Sequence, residues 1–271
     1  MSRLIVIGAL VLAAAGCSSS RPSLHHAVAV EGAASVTCRP IGPPRILGSG
    51  WVSTELDGAA GEHEVAIGYY QMPHWANAIA IDPWTLAVTR TMRSELAAPP
   101  RRMLPRIGEA GLLSVEATTG RHEVTAENAA VSLVAWSVPE TGRVAWSAMQ
   151  KDGRVSTQTL TASTGDVTLE APTVATLPDG RFVLGFVHRC SHERAAMILT
   201  LDAEGRALGE PTPVAPNVDT RGAQVLVARD GRGAVAFFDD QGRLAAVPVG
   251  CGAPRWERDA AGATASNATA P

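Results

Sequence analysis

The residues able to do chemistry fall into three groups: the cysteines, one histidine-rich run and one aromatic run. Cysteine stands at 17, 38, 190 and 251. His188-Arg189-Cys190-Ser191-His192 is the cluster with metal-ligand chemistry. On a strand its alternate residues share a face. His188 and His192 then stand about 13 Å apart, too far to share an ion held about 2 Å from each nitrogen. A tight turn and a ligand from elsewhere would be needed, so a polar hairpin loop is expected and no metal site. Tyr69-Tyr70-Gln71-Met72-Pro73-His74-Trp75 concentrates rings in a chain that is 4% aromatic. Pro73 marks 71–75 as a loop between strands and puts His74 and Trp75 at a rim. Tyr70, His74 and Trp75 are the candidate ligand-binding residues, since a Trp beside an imidazole can grip a sugar ring or a partner's apolar side chain. The competing reading packs these rings between sheets, as is expected of Trp136 and Trp146.

Catalytic patterns are sparse. The chain carries neither a Gly-x-Ser-x-Gly elbow nor a phosphate-cradling glycine loop, and no cofactor is implied. Asp202 and Asp239-Asp240 stand where hairpin turns use aspartate. The carboxylate pair of a glycoside-cleaving enzyme would be distant in sequence, so a polysaccharide hydrolase or lyase stays open as the alternative function. The formal net charge of the 271 residues is −3. Nucleic-acid binding is excluded as the main work, because phosphate contacts need a basic footprint. Lys151 is the only lysine among 23 basic residues, which reads as compositional bias.

These residues need an address and a frame. Arg3 is followed by the uncharged run Leu4–Ala15. Twelve apolar residues rise about 18 Å as a helix, against a hydrocarbon core of about 30 Å. The run has the length of a signal-peptide core, and it ends in Ala14-Ala15-Gly16-Cys17. That ending resembles the bacterial lipobox, although Ala14 replaces the commoner leucine. The resemblance implies that 1–16 is a cleaved signal and that Cys17 becomes the lipidated first residue. Loss of Arg3 would take the charge from −3 to −4. Residues 17–26 then read as a flexible tether between membrane and fold. Position 18 is Ser, not the Asp that signals inner-membrane retention in enterobacterial lipoproteins, which favours the outer membrane. Residues 257–271 read as a disordered tail, because Ala260–Pro271 holds no large apolar side chain to offset its ordering entropy.

Between 27 and 256, short apolar runs alternate with glycine turns. Gly-Arg recurs at 120–121, 142–143, 153–154, 180–181, 205–206, 231–232 and 242–243. The glycine supplies the positive φ of a tight hairpin and the next residue starts the returning strand. Solvated strand-end arginines are expected; a ligand-binding array is the alternative. The hairpins at 133–146, 174–186 and 223–238 can be superposed as copies. Gly142, Gly180 and Gly231 are then separated by 38 and 51 residues. The repetition resembles that of bacterial β-propellers, whose blades repeat at about 40–50 residues. The fold expected is all-β and propeller-like, about five four-stranded blades, with a β-sandwich as alternative. With Cys17 given to lipid, at most one internal disulfide can form. Cys38–Cys251 would staple the closure of the ring. Against it, if Cys38 ends its strand and Cys251 ends the antiparallel neighbour, the two lie on opposite rims, and Cys38–Cys190 competes. The function expected is a non-catalytic binding or scaffold module of the cell envelope, held to the membrane by lipid, with an envelope protein or glycan as partner.

Overall fold

The computed structural model describes residues 23–24, 37–48, 56–98, 100, 102–108, 112–118, 124–162, 167–191 and 193–251. Cys17, most of 17–26, His192 and the 257–271 tail lie outside these. Two short N-terminal pieces come first: β1 (Ser23–Leu24), then β2 (Arg39–Pro40) with β3 (Arg45–Gly48). Five antiparallel sheets follow in chain order. Blade 1 is β4 (Asp57–Ala60), β5 (Val65–Gln71), β6 (Trp75–Ile81) and β7 (Val88–Glu95). Blade 2 has two strands, β8 (Arg102–Ile107) and β9 (Leu113–Thr118). Blade 3 is β10 (Val124–Glu127), β11 (Val131–Val138), β12 (Arg143–Gln150) and β13 (Val155–Thr161), with β1 on its outer edge. Blade 4 is β14 (Val167–Thr176), β15 (Phe182–Cys190), β16 (Glu193–Leu201) and β17 (Thr212–Pro216). Blade 5 is β18 (Val218–Val227), β19 (Gly233–Asp239) and β20 (Leu244–Gly250), and β2 and β3 complete it along β20.

The turns show why this sequence makes hairpins. In 150–154, 177–181, 202–206, 228–232 and 239–243 the fourth residue is Gly with φ between 72° and 89°. In each, the Gly N–H donates to the first residue's carbonyl, and the first residue's N–H donates to the carbonyl of the Arg that follows Gly. This is a type I turn closed by a residue in the left-handed region, which a glycine occupies without a Cβ penalty. An aspartate completes each turn. Asp152, Asp179 and Asp230 accept from the backbone N–H of the Arg two residues later; Asp202 and Asp239 do so four residues later.

Side chains from facing blades form the core. Leu133, Trp146 and Leu160 of blade 3 meet Phe182, Leu184 and Phe186 of blade 4. Val183, Val187 and Ile198 meet Val225, Phe237 and Val247 of blade 5. Leu226, Ala236 and Phe238 meet Ile67 and Ile81 of blade 1. A smaller layer of Tyr70, Ala76 and Met103 joins blades 1 and 2. Each wholly buried Leu or Phe contributes about 1.5–3 kcal/mol of transfer free energy. β19 and β20 are buried at every residue, the mark of strands covered on both faces.

The equivalences between repeats differ from those expected. The 133–146 hairpin joins second and third strands, whereas 174–186 and 223–238 join first and second. Gly142 is therefore on the opposite rim from Gly180 and Gly231. The matching turn glycines are Gly153 with Gly205 and Gly180 with Gly231, 52 and 51 residues apart. Trp146 is buried as expected, but Trp136 is 38% exposed. Cys38 and Cys251 are disulfide-bonded. The anticipated rim conflict does not arise, because Cys38 precedes its strand: Arg39 pairs with Gly250, so Cys38 falls opposite Cys251 on one rim. Cys190 is disulfide-bonded as well, which corrects the expectation that it is left over as a thiol.

Candidate functional site

In an antiparallel meander the turns alternate between two rims. One carries the first-to-second and third-to-fourth turns, and here they are stitched together across blades. Asn128 of the β10–β11 turn donates through Nδ2 to the carbonyls of Gly180 and Ala203 in blade 4. Trp146 Nε1 donates to Gly205 O at 2.8 Å. Arg181 closes on its own Asp179 and donates onward to Cys251 O at 2.8 Å, linking blades 4 and 5. Arg232 closes on Asp230 and also reaches Asp82 Oδ2 and His63 O, each at 2.7 Å, linking blades 5 and 1. Arg229 N–H and Asp230 N–H donate to Gly61 O and Glu62 O. The Gly-Arg arginines at 181 and 232 are thus clamps between blades and not solvated strand ends.

Where blades 5, 1 and 2 meet, this rim holds a cleft of about 520 Å³, lined by Glu62, His63, Glu64, Asp82, Thr89 and Arg229 over an apolar floor that includes Ile107. His63 Nδ1 lies 2.9 Å from Asp230 Oδ2. Burial pushes the Asp230 carboxyl up, but hydrogen bonds from His63 and Arg232 outweigh it and hold the group below its ordinary range. The ionised carboxylate can only accept, so Nδ1 carries the proton and Nε2 is left for other partners. At Asp82 burial also pushes upward and is outweighed, here by Thr85 N–H and Arg232. A histidine oriented by a carboxylate is half of a general-base arrangement. The hydroxyl in the cleft, that of Thr89, lies 3.0 Å from Glu64 Oε2 and 3.1 Å from Ala80 O, committed within blade 1. Among the described residues no group of three or more His, Cys, Asp or Glu could hold a metal ion. Sequence reasoning passed over His63 because its partner is 167 residues away; its setting in Gly61-Glu62-His63-Glu64 is the signal available.

The other rim carries the β5–β6 turn with the three nominated residues, which the structure separates by role. Tyr70 is wholly buried against Met103 and its hydroxyl donates to Pro73 O. It cannot touch a ligand in this conformation; it holds the turn from beneath. His74 is exposed, and so are Met72 and Pro73, joined by a cis peptide bond. Trp75 is half-buried, with the Arg93 guanidinium 3.8 Å above its ring centroid, a cation–π contact. Burial pushes the phenol of neighbouring Tyr69 up, and Arg93 partly opposes it. At this level a buried ion pair, Asp57 with Arg102, ties the start of β4 to the start of β8. The polar hairpin loop expected over 188–192 starts later than read: His188 lies in β15 opposite Ala195, and Ser191, with φ 52°, follows the end of that strand at Cys190.

Fold and rims together define an all-β, propeller-like arrangement of five sheets in which the early strands β2 and β3 pair with the last described strand, β20. No known protein family and no curated protein matches the chain. Among solved structures it is similar to an endo-arabinase from Bacteroides thetaiotaomicron, with 13% identity, TM-score 0.29 and coverage of 71% of this chain and 73% of that one. A bifunctional GH43-CE protein from Bacteroides eggerthii matches at 12% identity and TM-score 0.27, over 70% of this chain and 24% of the other, so this chain spans about a quarter of its length. TolB from Acinetobacter baumannii matches at 10% identity and TM-score 0.20, over 71% and 54%. These scores carry no argument about activity.

Proposed function

We propose that the protein is a non-catalytic recognition or scaffold module of the bacterial cell envelope, held at a membrane by lipid on Cys17. The observation that carries the recognition reading is the exposed 72–74 turn on its buried Tyr70 support, a fixed projection on a rigid ring. Its partner is an envelope protein or a glycan. The cleft at the other rim fits this reading: Asp82 and Asp230 spend their oxygens on Arg232, His63 and turn N–H groups. Polysaccharide cleavage would instead need two carboxyl groups facing one sugar, about 5–9.5 Å apart. The lipid anchor rests on residues 3–17 and needs the Cys17 sulfur, so it belongs to a form of the chain in which that sulfur is not in a disulfide; Ser18 favours the outer membrane.

The anchor is tested by Cys17→Ser. The variant should move from the membrane fraction to the soluble fraction and lose incorporation of labelled palmitate. Membrane association and labelling that persist in the variant refute the anchor. Recognition is tested by His74→Ala, which should weaken capture of envelope glycan or protein while leaving the melting temperature unchanged.

A further inference from the structure

The short strand β1 fixes the side from which a tethered chain enters the domain. β13 starts at the 150–154 turn, on the rim of the Arg181 and Arg232 clamps, and so ends at Thr161 on the rim of the 72–74 turn. β1 runs antiparallel to it, with Ser23 opposite Thr161 and Leu24 opposite Leu160. The chain therefore enters blade 3 at the 72–74 rim and heads for the clamp rim. Its next described residues agree: Cys38 is bonded on the clamp rim to Cys251, whose carbonyl accepts from Arg181.

Only residues 18–22 separate Cys17 from Ser23. Those six Cα steps reach at most about 22 Å. β13 from Val155 to Thr161 is itself about 20 Å long. A tether doubled back along β13 would be spent before it cleared the 150–154 turn. A lipid on Cys17 therefore cannot bring the clamp rim to a bilayer. The 72–74 rim needs no detour, and its residue types suit a headgroup layer. Met72 stands 54% exposed, and Trp75 lies under the Arg93 guanidinium. An indole beside a basic side chain suits a membrane–water interface, with the ring at headgroup level and the charge reaching water.

We infer that, in the form whose Cys17 carries lipid, the 72–74 rim lies against the headgroups of the anchoring bilayer. The clamp rim and its cleft then open to the aqueous compartment. This rests on the lipid anchor proposed above and deepens the recognition reading, because the envelope component that the 72–74 turn meets is the phospholipid surface.

The test holds the full lipidated chain in vesicles of phosphatidylethanolamine and phosphatidylglycerol, doped with a lipid whose headgroup carries a nitroxide. The nitroxide quenches a dye at the bilayer surface. Lys151, the only lysine, stands in the 150–154 turn, so an amine-reactive dye on the wild type reports the clamp rim. Lys151→Arg with Glu140→Lys moves the dye to the other end of β12, about 24 Å away along the strand. Lys151→Arg with His74→Lys moves it to blade 1 on that same rim, and Lys151→Arg alone gives the background. The dye at 140 and at 74 should lose fluorescence, and the dye at 151 should keep it. Quenching at 151 alone overturns the inference. Equal quenching at all three sites also does, because the domain then lies on its side. So does quenching at 140 without 74, which means a tilted domain touching at the tether's blade only. A retained chain with no quenching at any site overturns it too, since the domain then stands off the surface. A chain lost from the vesicles refutes the Cys17 anchor and this inference with it. Retention and quenching thus read the two failures apart.

Discussion

Replacing Cys38 and Cys251 together by Ala should destabilise the ring by about 5 kcal/mol. The bridge joins residues 213 apart in sequence, and in the chain-entropy model a loop of that size lies just above the 4.7 kcal/mol of a 100-residue loop. The native contacts at the seam are modest by comparison: β2 contributes two residues and β3 four, with Cys38 N–H donating to Thr200 Oγ1 at 2.7 Å. Alanine is the choice because both cysteines are buried, at 1% and 4% exposure, and a serine hydroxyl would add its own desolvation cost. Mutation is preferable to a reductant, which would also open the disulfide of Cys190. Equilibrium urea unfolding, followed by tryptophan fluorescence, reads the effect. With a slope of about 3 kcal/mol per molar for a chain of this size, the midpoint should fall by about 1.7 M. A fall below about 0.3 M would refute the reasoning. It would mean that strand pairing along β20 closes the ring and the covalent link adds nothing.

The support and the tip of the aromatic turn should part company: Tyr70→Ala should cost about 3–5 kcal/mol in a thermal or urea melt, and His74→Ala no more than about 0.5 kcal/mol. Equal costs would mean the tip is packed. The carboxyls of Asp82 and Asp230 sit below their ordinary range in the folded state, so the stability they add is present above about pH 4 and is lost as pH falls through the folded values. Melting temperature of the wild type should therefore drop between about pH 4 and pH 2. Arg232→Met should flatten that drop, and an unchanged slope would count against the clamp. At the turn glycines, Gly153→Ala should cost only the left-handed strain, about 1 kcal/mol, because a Cβ there meets open space. Gly205→Ala should cost more, since its Cβ would lie 2.7 Å from that of Ala148. Equal losses in the two variants would refute the packing argument.

What local rules govern was legible in the sequence. The Gly-Arg turns follow from a φ requirement confined to one residue, and the strand density follows from short apolar runs between them. Ring closure through Cys38 and Cys251 could be anticipated from their positions near the two ends of the folded part. The direction of Cys38 could not, because a lone cysteine does not say whether its strand begins or ends there. Nor does a Gly-Arg pair announce its rim, so the sequence alone matches Gly142 with Gly180 although they lie on opposite rims. The rest depends on distance. His63, Asp82, Asp230 and Arg232 form one network across 169 residues, and no local pattern ties them together. Tyr69 and Tyr70 are adjacent, and only the identity of the neighbouring blades decides that Tyr70 is the buried one. Trp136 looks like core by its residue type, yet it lies on the face of β11 turned away from the blade 3–blade 4 core and is 38% exposed.

Closing the ring with a strand from the start of the chain has a consequence in time. At about 5–20 residues per second, a ribosome makes Cys251 roughly 10–40 s after Cys38. Blade 5 has no outer strand to recruit until both are present, so the final step of assembly waits for the last 34 residues of the described region, β18 onward. Cys190 appears in the interval. It is the first later thiol that Cys38 can meet, and a Cys38–Cys190 link would lock the N-terminal segment onto the wrong blade. The order of synthesis thus sets a race that the native pairing enters last. Correcting its errors by exchange takes seconds to hours. A cell that lacks a disulfide isomerase in the compartment where this ring closes should accumulate the mispaired form.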